Sequence, residues 1–215
     1  MDTEGHIEIK PSGPDRWRLA TPDGTRATLD NAALADHNLV HGDPWTLAVQ
    51  ERVGRAIGEA GARLAAHRLL RVRPRSEAEL RERLATRYPA AAVERVIEAM
   101  RTAGVIDDER LAGTLAEQMA DQRPHAREAI RERLERFRIG DPLIHEALDE
   151  HAPEEHEADR ALAVAEAQLR RLAGLNLTPE ATRRRLFAAL ARRGFEPELA
   201  ADAIERLVGM ADDPE

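Results

Sequence analysis

The sequence predicts a mainly α protein: tandem three-helix repeats in an elongated curved array, preceded by a small β-rich N-terminal module. Three observations carry this. Hydrophobic residues make up 42% of the chain but aromatics only 3%, so aliphatic side chains, Ala and Leu above all, must fill the interior, as in packed helices. One apolar spacing is then written three times. Leu80, Leu84, Tyr88, Val93 and Ile97 form the first series, Ile130, Leu134, Ile139, Ile144 and Leu148 the second, and Leu186, Leu190, Phe195, Ala200 and Ile204 the third. Each reads as helix, tight turn, helix, a unit too small to bury its stripe alone, so neighbours must stack. The period of about 50 residues fits three helices per repeat and not the shorter tetratricopeptide or ankyrin units. Residues 6–47 break the pattern with short alternating runs between turn-rich stretches.

In chain order, "HIEIK", "RWRLA" and "RATLD" read as strands, separated by "PSGP" and "TPDG". Asp23-Gly24 marks a hairpin. "NAALADHN" reads as one or two helical turns and "GDPWTLAV" as a last strand, with Trp17 and Trp45 in the core. This module, residues 1–47, is too small to be robust alone and should lean on the helices after it. From residue 48 the pattern is helical. Val53, Ile57, Leu64 and Leu69 share one side of the first helix, whose Gly54, Gly58 and Gly61 either allow close packing or leave the helix bendable. Pro74 ends it.

Ser76 and Glu79 form a capping box for the next helix. Asp107 and Asp108 start another, where carboxylates complement the helix dipole. Asp141-Pro142 and Thr178-Pro179 are further starts, and Gly104, Gly194 and Gly209 stand where helices end. The repeats are placed at 48–105, 106–152 and 153–210, with an acidic tail at 211–215.

Composition argues against an enzyme. There is no Cys, Lys10 is the only Lys, Ser12 lies in a turn and Ser76 is a cap, so the usual nucleophiles are nearly absent. No phosphate-loop motif occurs. Asp107 and Asp108 are explained as helix starters, and His37 and His41, four apart, sit in a turn-like stretch with no third ligand evident. No catalytic, cofactor or metal site is therefore expected. No apolar run reaches membrane-spanning length and the first residues do not read as a signal peptide, so a cytoplasmic protein is expected.

The net charge of −8 hides a pattern: residues 1–50 carry −4, 51–106 carry +5, 107–150 carry −5 and 151–215 carry −4. A basic segment inside an acidic protein points to an interaction surface. Arg71, Arg73 and Arg75 surround Pro74; Arg81, Arg83 and Arg87 come next; Arg131, Arg133, Arg136 and Arg138 decorate the second repeat; Arg183, Arg184, Arg185, Arg192 and Arg193 the third. About half are accounted for by Glu three or four residues away, such as Arg131 with Glu135. The break at 71–75 is not, having no acid before Glu77. Few aromatics accompany the Arg clusters, so any DNA contact should be electrostatic and salt-sensitive.

Three stretches, "RSEAELRERL" (75–84), "GVIDDERLA" (104–112) and "LARRGFEPELAADAI" (190–204), resemble the RecX family of recombination regulators in content and order. The resemblance covers residues 50–208 closely and 6–47 more loosely. It departs at Arg138, which stands before Ile139 where a Gly is expected, in "DQRPHAREAI", which lacks a Gly before its helix, and at Tyr88-Pro89 in the first turn. The resemblance implies a monomeric, non-enzymatic protein that binds the RecA recombinase filament, inhibits its ATP hydrolysis and strand exchange, and serves homologous recombination, DNA repair and SOS control. Contact residues would come from Arg71, Arg73, Arg75, Arg81, Arg83, Arg87, Arg131, Arg138, Arg192 and Arg193, on a frame set by Ser76, Glu79, Asp107, Asp108, Gly194 and Phe195. Two other functions fit the residues: a nucleic-acid-binding helical-repeat module with 71–87 as its basic face, and an α-repeat scaffold for another protein.

Overall fold

The computed structural model describes residues 5–212. The tail expected at 211–215 falls outside that range from residue 213 on. The chain divides into two compact units, residues 1–106 and 107–215.

The first unit begins with an antiparallel meander, β1 (Glu8–Gly13), β2 (Arg16–Ala20) and β3 (Arg26–Asp30), in the order β1-β2-β3. Ile9 pairs with Leu19, and Trp17 with Leu29. The two-residue period of a strand puts these four on one face, which packs against helix α2 (Leu47–Val72) together with Ile7, Leu39 and Trp45. The short helix α1 (Asn31–Asp36) is capped by Asp30, whose carboxylate accepts from the Ala33 amide. Trp45 is buried as expected, whereas Trp17 sits at the edge, its indole N–H bonded to Asn31 Oδ1.

The last strand expected over 42–49 does not form. Pro44 makes a single bridge to His6, and Thr46 turns the chain into α2 by accepting from the Val49 amide. A β-branched cap is locally as good a helix start as a strand residue, and the tertiary packing of Val49 and Val53 decides.

Helix α2 serves two cores. Val49, Val53, Ala56 and Ala60 roof the sheet, while Ala62 and Ala66 pack with α3 (Glu77–Ala85) and α4 (Ala90–Thr102) around Leu80, Leu84, Val93, Val96 and Ile97. Its inward face is thus built largely of Ala. Leu64, expected on that face, is 46% exposed. The three glycines divide: a Cβ at Gly61 would lie 2.7 Å from the Tyr88 ring and one at Gly58 would touch Ala92, but one at Gly54 would meet nothing. Close packing explains the first two.

The second unit holds two further three-helix groups. Helices α5 (Asp108–Glu117), α6 (Arg127–Arg136) and α7 (Asp141–His151) enclose Ile130, Leu134, Ile139, Ile144 and Leu148. Helices α8 (Glu157–Leu172), α9 (Pro179–Ala191) and α10 (Pro197–Asp212) enclose Leu186, Leu190, Phe195, Ala200 and Ile204. All fifteen positions of the repeated series are buried except Tyr88, which is half-buried. Gly209 lies inside α10 rather than at a helix end.

Candidate functional site

The helix caps come first, because they place the Arg clusters. Ser76 Oγ accepts from the Glu79 amide at 3.1 Å, the expected half of the capping box. The Glu79 carboxylate, 10% exposed, takes the guanidiniums of both Arg73 and Arg75. Arg73 and Glu79 are six positions apart across Pro74, so local helical spacing could not reveal that pair. The break at 71–75 is therefore less free than the sequence suggests. The Arg75 side chain is 9% exposed and is held by Glu79. Arg73 and Arg71 are exposed.

Along α3, Arg81 bridges Glu94 of α4 at 2.8 Å and Glu77 of its own helix at 2.6 Å. These two hydrogen bonds, Glu94 first, raise the guanidinium above its ordinary pKa. Arg83 and Arg87 point to solvent. In the second repeat Arg131 turns to Glu128, at 3.4 Å, rather than to Glu135. Arg138 is exposed and takes φ +58°, the left-handed conformation that Gly194 takes at φ +83° in the third repeat. The turn geometry is thus kept although the glycine is not, at the steric cost of a Cβ in that region.

Asp107 caps α5 by accepting from the Arg110 amide at 2.9 Å, and Asp108 opens the helix. His37 lies buried against Glu59 at 3.0 Å, and His41 Nδ1 accepts from the Ile9 amide. All four work within the fold.

In the third repeat the turn "ARRGF" packs on the N-terminus of α6. The Ala126 amide donates to the Arg193 carbonyl at 3.0 Å, and the Arg193 guanidinium donates to the Pro124 carbonyl at 2.8 Å. Phe195 is buried. Arg192 remains exposed and meets Arg123, Arg133 and Arg136 across a cleft between the second and third repeats. Arg123 is not among the sequence candidates; nothing in its local pattern separates it from a solvated loop residue. Two further arginines escape sequence reasoning because their partners are backbone carbonyls outside their own helices. Arg127 donates to the Leu148 and Ala152 carbonyls at the end of α7, and Arg160, buried, donates to the Pro153 carbonyl.

Comparison with known proteins fits this arrangement. Residues 62–100 match the model for the first three-helix domain of RecX, and residues 154–204 that for the third. The Regulatory protein RecX of Mycolicibacterium smegmatis is 34% identical over 64% of this chain and 74% of its own length. The chain belongs to the RecX family. The Regulatory protein RecX of Pelodictyon phaeoclathratiforme is 31% identical over 69% of this chain and 89% of its own. Among solved structures, a crystal structure of regulatory protein RecX superposes with a TM-score of 0.66 at 21% identity, covering 95% of this chain and all of that one. RecX from Lactobacillus salivarius gives 0.54 at 16% identity, over 70% and 96%. These two share the fold. The RecX-like turns include "ARRGF", whose glycine and buried phenylalanine the third repeat uses to dock.

Proposed function

We propose that this RecX-family protein regulates by binding a RecA recombinase filament, lying along its groove so that successive repeats touch successive protomers, and that it thereby suppresses ATP hydrolysis and strand exchange in recombinational repair and SOS control. The observation that carries this reading is one helix–turn–helix unit built three times, with arginines left on its outer surface. Identical weak contacts on a periodic partner add through effective concentration, and arginines facing acidic protein surface set register and on-rate. Arg71, Arg73, Arg83, Arg87, Arg138 and Arg192 are the exposed members of the contact set, and Arg81 and Arg131 are half-buried. In this reading the protein is a cytoplasmic monomer without catalysis of its own, and the functional divisions are 1–47, 48–105, 106–152 and 153–210. Among the described residues no helix is long and apolar enough to cross a membrane.

DNA-dependent ATP hydrolysis by the cognate recombinase tests the reading. Suppression at well below one copy per protomer is expected. No effect even in excess would overturn it and leave a helical-repeat scaffold for another protein.

A further inference from the structure

The small sheet has two edges, and the fold treats them differently. An open strand edge is a row of unpaired amides and carbonyls that invites another strand. On β1 that row is closed. The Ile7 amide donates to the Asp43 carbonyl at 3.0 Å, and the Ile7 carbonyl accepts from the Gly42 amide. The Ile9 amide donates to His41 Nδ1 at 3.1 Å, and Pro11 has no amide proton to offer.

On β3 nothing closes the row among the described residues. Every second facing pair of an antiparallel ladder exchanges hydrogen bonds. The Thr21 amide donates to the Thr25 carbonyl at 3.0 Å, so the Leu19–Ala27 and Trp17–Leu29 pairs, in the same register, make the bonds between β2 and β3. Arg26 and Thr28 therefore turn their backbone groups outward, and both residues are exposed. Thr28 and Leu29 share a cleft of about 350 Å³ with Ala60, Leu64 and His67 of α2, which leaves room beside the strand on its helix side.

The sequence of this strand matches itself. Laid antiparallel about Thr28, Arg26-Ala27-Thr28-Leu29-Asp30 sets Arg26 of each copy opposite Asp30 of the other, and Thr28 opposite Thr28. These are the positions whose backbone groups face out, so charge and hydrogen-bonding phase agree. A slip of two residues would lose both ion pairs. Opposite charges and paired threonines across strands are favourable. Arg26 has no carboxylate partner among the described residues. Asp30 caps α1 and takes Arg63 at 2.7 Å, yet 32% of its side chain is exposed and a carboxylate accepts about four hydrogen bonds.

We propose that two copies of this chain pair through β3, antiparallel about a two-fold axis at Thr28, and join their three-stranded sheets into one. Such a contact uses the same patch on both copies and closes at two, and the closed β1 edge stops further growth. The seam is short, so the pair is weak and dissociates on dilution. The pair is the form of the free protein; the recombinase reading takes one chain at a time, and a weak pair releases it.

The chain has no Cys, so Thr28→Cys gives each copy a single thiol at the axis. Facing residues of a hydrogen-bonded antiparallel pair stand about 5.5 Å apart at Cα, within disulfide reach. Mild oxidation of the full-length variant should yield mainly cross-linked dimer. R18C, exposed on the same face one strand further in, should cross-link at least tenfold more slowly. Sedimentation of the wild type at rising concentration should show the mass climbing toward two chains. Arg26→Glu sets like charges opposite each other, and Thr28→Pro removes the outward amide at a place where an edge strand tolerates proline. Each should raise the dissociation constant at least tenfold while the circular dichroism stays that of the wild type. Unchanged association in both variants would overturn the assignment, because the copies would then meet elsewhere. So would a wild type that stays single at every concentration with T28C no faster than R18C, which would leave the edge to a strand of another protein. None of these readouts involves the recombinase.

Discussion

The Ala126 amide donates a 3.0 Å hydrogen bond to the Arg193 carbonyl, joining the start of α6 to the turn between α9 and α10. This bond brings two repeats backbone to backbone. It depends on the next residue, Gly194, whose absent side chain lets the turn come down on α6. A Cβ built there would stand 2.7 Å from the Ala129 Cβ. The glycine therefore meets two demands at once, a left-handed φ of +83° and a close approach.

The prediction is that Gly194→Ala destabilises the protein by about 2–5 kcal/mol, combining about 1–2 for a Cβ in the left-handed region with about 1–3 for overpacking. Gly104→Ala is the control. Gly104 has φ +64° but open space around it, so only the first cost, about 1–2 kcal/mol, applies. Urea unfolding of both variants separates the two contributions. Equal losses would show that close approach adds nothing.

Arg138 supplies the converse prediction. It stands where the third repeat has Gly194, and adopts φ +58° with a Cβ. Arg138→Gly relieves about 1–2 kcal/mol of local strain and gives back about 0.5–1 through the greater freedom of glycine in the unfolded chain. A net gain of about 0.5–1 kcal/mol is expected, read as a higher urea midpoint at unchanged slope. A lower midpoint would show that the side chain contributes more than the strain costs.

These two positions mark how far the sequence could be read. The repeated series, the caps at Ser76, Asp107 and Thr178, and the Asp23-Gly24 hairpin are local patterns, and local patterns survive into the fold. Arg138 is legible only as a missing glycine; that the turn keeps its geometry anyway is decided by the packing of Ile139 and Phe137 beside it. Thr46 looks like strand and is a cap. Leu64 looks like core and faces out, because small residues on the other side of α2 allow closer contact than leucine. The arginines are the least legible. Arg73 reaches Glu79 across the helix break, Arg127 is fixed by carbonyls more than twenty residues away, and Arg123 matters only because Arg192 arrives opposite. A count of charges along the chain shows where basic residues lie, but not which of them the fold has already occupied.

The last prediction concerns Glu59, 1% exposed in the middle of α2. One carboxylate oxygen meets His37 of the N-terminal module at 3.0 Å and the other takes the guanidinium of Arg95 on α4. One buried side chain thus ties the sheet-bearing module to the first repeat, through the helix they share. A buried polar group left without its hydrogen-bond partner costs about 1–3 kcal/mol. His37 is buried and Arg95 about half-exposed, so the penalty falls mainly on the histidine side. Glu59→Ala is expected to destabilise the protein by about 1–3 kcal/mol, and Arg95→Ala by about 1, since its guanidinium is partly solvated and its pair screened. The distinguishing readout is hydrogen exchange. Glu59→Ala should raise exchange at the Ile7, Leu19 and Leu29 amides together with those of α4, because the tie holds both. If exchange rises in α4 alone, the carboxylate supports only the repeat, and the module is held by the apolar face of Val49, Val53 and Ala56.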